Sequence, residues 1–156
     1  MTRRVIYTRP DGGVSVVIPT QETLDRFPVE ADLDAHLLDR SIPADASAVQ
    51  FIDHTDLPTD RTFRNAWRRD LGAVVVDMPL ARDIQMAHIR AARDDALAAS
   101  DTDMIRAQED GDPANVLKVR RQALRDMPAN IQTQIDNAPN PTALKSTWPA
   151  NLARPA

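Results

Sequence analysis

At 156 residues the chain suits one domain, or one small domain with an extension, and a compact chain of this size buries about 70% of its unfolded surface. Apolar residues make up 42% but aromatic residues only 4%, so the expected core is aliphatic and rich in alanine. A net charge of −4 argues against a general nucleic-acid binder, the lack of an apolar run near roughly 18 residues argues against a membrane span, and the lack of cysteine excludes disulfides.

The opening residues Met1–Thr2–Arg3–Arg4 lead straight into a strand-like segment, so no signal peptide is expected and cytosolic synthesis is. Residues 3–8 and 14–18 are β-branched runs flanking Arg9–Pro10–Asp11–Gly12–Gly13. Proline preset for a turn, followed by Asp–Gly, spells a hairpin. Pro19 ends it. Residues 22–27 form a turn of helix and 30–39 a short helix through Leu33, Leu37 and Leu38. Residues 48–53 read as a third strand.

Thr59 or Asp60 is then positioned to cap a short helix carrying Phe63, Trp67 and Leu71 at i, i+4 and i+8, with Gly72 as its stop. Residues 73–76 are a brief apolar strand. They deliver the chain into the dominant element, a long helix over residues 79–110 with Asp77 as N-cap, Pro79 in its first turn and Gly111 as its stop. At roughly 100° per residue this helix has two apolar stripes. Met86, Ile89, Ala92, Ala96, Leu97, Met104 and Ala107 lie on one side. Leu80, Ile84, Ala87, Ala91, Ala98 and Ile105 lie nearly opposite. Two stripes imply packing on both sides, either inside the chain's own bundle or with one stripe given to another chain.

Beyond Gly111, Asp112–Pro113 restarts the chain. Val116, Val119, Ala123 and Met127 mark a helix halted by Pro128. Ile131 and Ile135 support one more short helix, and Asn140–Pro141–Thr142 opens a last turn ending at Trp148–Pro149. The tail, 150–156, has no pattern. The fold class expected is α+β: a small amino-terminal antiparallel sheet with short helices over 1–78, then a helical region over 79–149 and an irregular tail.

Chemistry is sparse. The three histidines, His36, His54 and His88, stand in three different elements with no metal-ligand spacing. Asp53–His54–Thr55–Asp56 has carboxylates that suit either a cation or the capping of a turn. Asp101–Thr102–Asp103 and Glu109–Asp110–Gly111–Asp112 lack the spacing of a calcium loop. No glycine-rich phosphate loop and no nucleophile elbow is present. No enzyme, no cofactor and no metal is therefore expected. Arg61, Arg64, Arg68 and Arg69 around Trp67 form the one basic cluster, suited to a partner's carboxylates or to phosphate. The partner-contact residues expected are Phe63, Arg64, Trp67, Met86, Ile89, Leu97 and Met104.

The stretch Arg61-Thr62-Phe63-Arg64-Asn65-Ala66-Trp67, followed by Val74-Val75-Val76-Asp77-Met78-Pro79-Leu80-Ala81-Arg82, resembles small proteins encoded among the tail genes of tailed bacteriophages and prophages. Arg121-Gln122-Ala123-Leu124-Arg125-Asp126-Met127-Pro128, with Leu144–Lys145 and then Trp148–Pro149, is similar to the end of phage tail-fibre assembly proteins. The chain departs from that family in carrying Val119–Arg120 where aromatic residues precede the motif. What the resemblance implies is a virion structural protein of the tail, collar or fibre attachment, multimeric among other phage structural proteins, made in the host cytoplasm and located in the virion. The alternatives are a tail-fibre assembly chaperone that leaves the particle and, from another class, a small DNA-binding regulator using the arginine cluster.

Overall fold

The computed structural model describes residues 3–110 and 115–154; the expected stop at Gly111 and restart at Asp112–Pro113 lie outside the described residues. The fold is α+β, as expected: antiparallel strands with short helices among them come first, and a long helix and two shorter ones follow. The chain divides into two compact units, Met1–Asp77 and Met78–Ala156.

The first unit is built on β1 (Arg3–Thr8), β2 (Val14–Val17), α1 (Gln21–Arg26), α2 (Glu30–Ser41) and β3 (Ser47–Asp53). The strands form an antiparallel sheet in the order β2-β1-β3. The turn between β1 and β2 is made as its residues dictate. The Gly12 N–H donates to Arg9 O at 2.9 Å across Pro10–Asp11, Gly12 takes φ 77°, and the Asp11 carboxylate accepts from the Gly13 N–H at 2.8 Å. Because β1 is central and consecutive side chains point to opposite faces, Val5 and Ile6 are both fully buried, one in each of two cores. On the Val5 side lie Leu33 and Leu37 of α2, backed by Leu24, Phe27, Ile42 and Phe51. On the Ile6 side lie Val14, Leu57, Trp67 and Val74.

Trp67 and Val74 mark the main departure from the expected elements. No helix runs from Asp60 to Leu71. Asp60 accepts from the Thr62 N–H at 2.9 Å and so closes a local turn, but it caps no helix; the single 3₁₀ turn that follows, Arg64–Ala66, has Phe63 at its N-cap and no side-chain cap. The chain then extends as β4 (Trp67–Asp70) and pairs antiparallel with β5 (Ala73–Val76), Trp67 opposite Val76 and Asp70 opposite Ala73. The apolar run Val74–Val75–Val76 needs a partner strand for its backbone, and the residues just before it supply one. The two-residue loop Leu71–Gly72 has positive φ at both positions, 46° and 90°, which fits a right-twisted hairpin. Leucine is poorly suited to that conformation, and here it is fully exposed, so packing returns nothing for the strain. Leu71→Asn is expected to raise stability by about 1 kcal/mol, seen as a higher urea midpoint at unchanged slope.

The second unit holds α3 (Met78–Glu109), α4 (Asn115–Asp136) and α5 (Pro141–Ser146). With 32 residues, α3 is about 48 Å long at 1.5 Å per residue. Arg82 of α3 donates to Ala138 O at 3.1 Å, while Ser100 accepts from Arg121 at 2.9 Å. Early α3 thus meets the end of α4 and late α3 its beginning, so the two helices form an antiparallel hairpin. Asp101 adds an ion pair to the same arginine.

Pro128 does not halt α4, contrary to the sequence expectation; the helix runs through it to Asp136. An internal proline costs about 3 kcal/mol through the lost N–H bond and a ring clash. Against this, Leu124, Met127, Ile131 and Ile135 lie on one buried stripe spanning the proline, each contributing about 1.5–3 kcal/mol. Breaking the helix at Pro128 would forfeit the second pair. α5 begins as expected, with Asn140 accepting from the Ala143 N–H at 2.9 Å and Pro141 in the first turn.

The described part of the tail, residues 150–154, is held by its own chain although it has no periodicity. Leu152 is buried, its carbonyl accepts from the Trp148 indole N–H at 2.9 Å, and Arg154 both donates to Ser146 O and lies 5.7 Å from the Trp148 ring centroid. An outside chain is not required to order it.

Candidate interaction surfaces

The residues expected to meet a partner fall into three groups. Phe63, Trp67, Met86 and Ile89 are 0–4% exposed and belong to the interior of the chain itself, so they are corrected from contact to core residues. Leu97 and Met104 are half-buried, and Arg64 is exposed. The physical reason is area. When a helix has two apolar stripes, the one with the larger side chains gains more by being buried. Met86 and Ile89 therefore turn inward in the unit where α3 packs against α4 and α5, and the alanine-rich stripe is left outside.

That outer stripe is the most regular surface feature of the second unit. Ile84, Ala91, Ala98 and Ile105 follow one another at intervals of seven, with Ala87 a turn away from Ile84 and Ala91. Ala87, Ala91 and Ala98 are exposed, Ile105 is 57% exposed, and Ile84 is half-buried. A seven-residue repeat drifts about 20° per heptad on a straight helix, so the four positions stay on one side along about 30 Å of α3. On α4, Val116 and Val119 are also exposed, at 78% and 71%.

The arginine cluster is divided. Arg68 donates to Trp67 O at 3.2 Å and lies 3.9 Å from the Asp77 carboxylate, and Arg69 bonds to Gln50. Arg61 and Arg64 are exposed. Two of the four guanidinium groups are thus committed to the chain's own backbone and side chains, which weakens any continuous phosphate-binding face.

The acidic fragment after β3 is a turn with a capping box. Asp53 accepts from the Thr55 N–H and hydroxyl, both at 3.1 Å, and Asp56 accepts from the Asp53 N–H at 3.2 Å. His54 Nδ1 sits 2.8 Å from Asp53. The Thr55 backbone bond, aided by the Thr55 hydroxyl and His54, holds the Asp53 carboxyl below its usual value of 3.8. Asp11 is lowered likewise, first by its bond from Arg9 and then by the Gly13 N–H. A carboxyl whose folded pKa is depressed favours the fold above its unfolded value and loses that contribution as pH falls through the folded one. The first unit is therefore expected to weaken as pH drops below about 4, and an Asp11→Asn, Asp53→Asn variant to show a flatter dependence in urea titrations at pH 6 and pH 3. His36 stacks on Phe27 at 4.3 Å, a packing role.

Residues 48–53 read as a strand from their sequence, but only the order β2-β1-β3 shows that this strand ends its sheet. No helix among the described residues is long and apolar enough to cross a membrane, and no cluster of three metal-ligating side chains occurs among them. No family model, curated protein or solved structure matches the chain.

Proposed function

We propose that this protein is a non-enzymatic structural component of a tailed-phage virion, located at the tail, collar or fibre attachment and acting by holding neighbouring subunits. The observation that carries the reading is the outer face of α3. Ala91, Ala98 and Ile105 stand in heptad register on a helix about 48 Å long. Alanine at such positions lets a second helix approach closely, and the constant spacing suits a partner helix rather than a small molecule. The tail assignment rests on the resemblance of residues 61–67, 74–82 and 121–128 to phage tail-gene proteins. The partners are other phage structural proteins, engaged in a multimeric assembly without membrane or nucleic acid.

Mass spectrometry of purified particles tests this. Peptides of the chain in fixed ratio to the tail subunits are expected. Their absence from particles that fail to form without the gene would instead assign the chain to transient assembly, as the likeness of residues 121–128 to tail-fibre assembly proteins suggests.

A further inference from the structure

We propose that Leu71, at the tip of the β4–β5 hairpin, is a knob that enters the groove between α3 and the carboxy-terminal tail of a second copy of this chain, so that copies join head to tail. The hairpin breaks a local rule without compensation inside its own chain. Leu71 stands at φ 46°, where asparagine or glycine is favoured, and its side chain is fully exposed. Among the described residues, nothing beyond the chain neighbours lies within 4 Å of where a Cβ on Gly72 would stand, so the tip projects clear of the molecule. Strain held at a position that the fold does not use points to a contact made outside it. The base of the hairpin is fixed, because Trp67 is buried in the Ile6 core, and the leucine is therefore presented already ordered.

The matching recess belongs to the second unit. A groove of about 570 Å³ lies beside α3, with Ala91, Ala92 and Ala96 on the helix and Leu152 and Ala153 on the tail. Small side chains on the helix leave room for a branched apolar one, and a leucine taken from water into such a recess is stabilised there. Gly72, with no side chain, lets both walls approach the tip.

Charge sets the direction of entry. His88 and Asp95 line the groove from the helix and Arg154 from the tail. On the hairpin, the exposed Asp70 precedes Leu71, and the uncharged Gly72 and Ala73 follow it. With Asp70 toward the tail it meets Arg154, while the neutral side of the tip meets Asp95. The reverse direction brings two carboxylates together. Arg154 donates one N–H to Ser146 O and has further N–H groups for a carboxylate. Knob and groove are different surfaces, so each copy offers one of each and the contacts close into a ring or extend as a filament. The inference rests on the reading of the protein as a holder of neighbouring subunits and names one of them. Its test uses the purified chain alone, so its failure would leave membership of the particle and the outer stripe of α3 untouched.

Sedimentation velocity of the full chain at rising concentration is expected to show species larger than a dimer. Leu71→Asn removes the knob in a variant expected to gain stability. Ala91→Arg lays a long side chain over the groove from an exposed helix position. Each variant alone is expected to remain monomeric. Mixed, the two are expected to form a one-to-one dimer and nothing larger, because the first keeps its groove and the second its knob. Asp70→Lys is expected to weaken the association about threefold. A parent chain that stays monomeric, assembly that survives Leu71→Asn, or a mixture of the two variants that stays monomeric would each overturn the proposal.

Discussion

Replacing Trp67 by alanine is expected to remove about 3–5 kcal/mol of stability, the largest single effect in the first unit. Trp67 is 2% exposed and fills the space between Ile6 and Val14 of the sheet, Leu57, and Val74 of the hairpin. Truncation leaves a void between the sheet and the hairpin, and a core of few aromatic residues has little to refill it. Trp67→Phe separates area from hydrogen bonding. The indole N–H is buried with no acceptor among the described residues, so losing it removes an unpaid desolvation cost. The phenylalanine variant is expected to lose less than about 2 kcal/mol. Urea denaturation followed by circular dichroism measures both. An alanine variant as stable as the parent would mean the hairpin does not cover the sheet.

Replacing Ile135 by alanine is expected to cost about 2–5 kcal/mol. Ile135 is fully buried and ends the stripe Leu124–Met127–Ile131–Ile135, beyond the proline. If α4 stopped at Pro128 this position would contribute little. Val116→Ala on the same helix provides the contrast: Val116 is 78% exposed, and its truncation should change stability by less than about 0.5 kcal/mol. Equal effects at the two positions would contradict the continuous helix. Both substitutions are read from the same denaturation curves, with the slope checking that the unfolding remains comparable.

Much of the fold is legible in the residues. Pro10–Asp11–Gly12 is a turn on its own chemistry, and alternation around it gives the hairpin. Asn140 before Pro141 is a helix start that needs no tertiary help. The long helix announces itself by length and period. The misreadings come from places where tertiary packing decides. Phe63, Trp67 and Leu71 are only three residues at helical spacing, and the same letters serve a 3₁₀ turn, a strand and a turn once Val74–Val76 require pairing. Pro128 is a breaker by local rules and is overruled by buried area on both sides of it. Leu152 and Trp148 fasten the tail through one hydrogen bond and one hydrophobic contact zone, which leave no periodic trace.

The candidate surface was half legible. Two stripes on α3 can be read directly from the sequence. Which of them faces outward cannot, because that depends on α4 supplying Leu124, Met127, Ile131 and Ile135 to one side.

The chain has no cysteine, so Ala98→Cys introduces a single thiol in the middle of the outer stripe. Ala98 is exposed and small, and the substitution leaves the helix able to form. With a photoactivatable benzophenone attached there, irradiation of assembling tails is expected to join the chain to another structural subunit of the particle. A thiol that stays freely reactive in finished tails, with no cross-linked product, would contradict the account of α3 as the face that holds its neighbours.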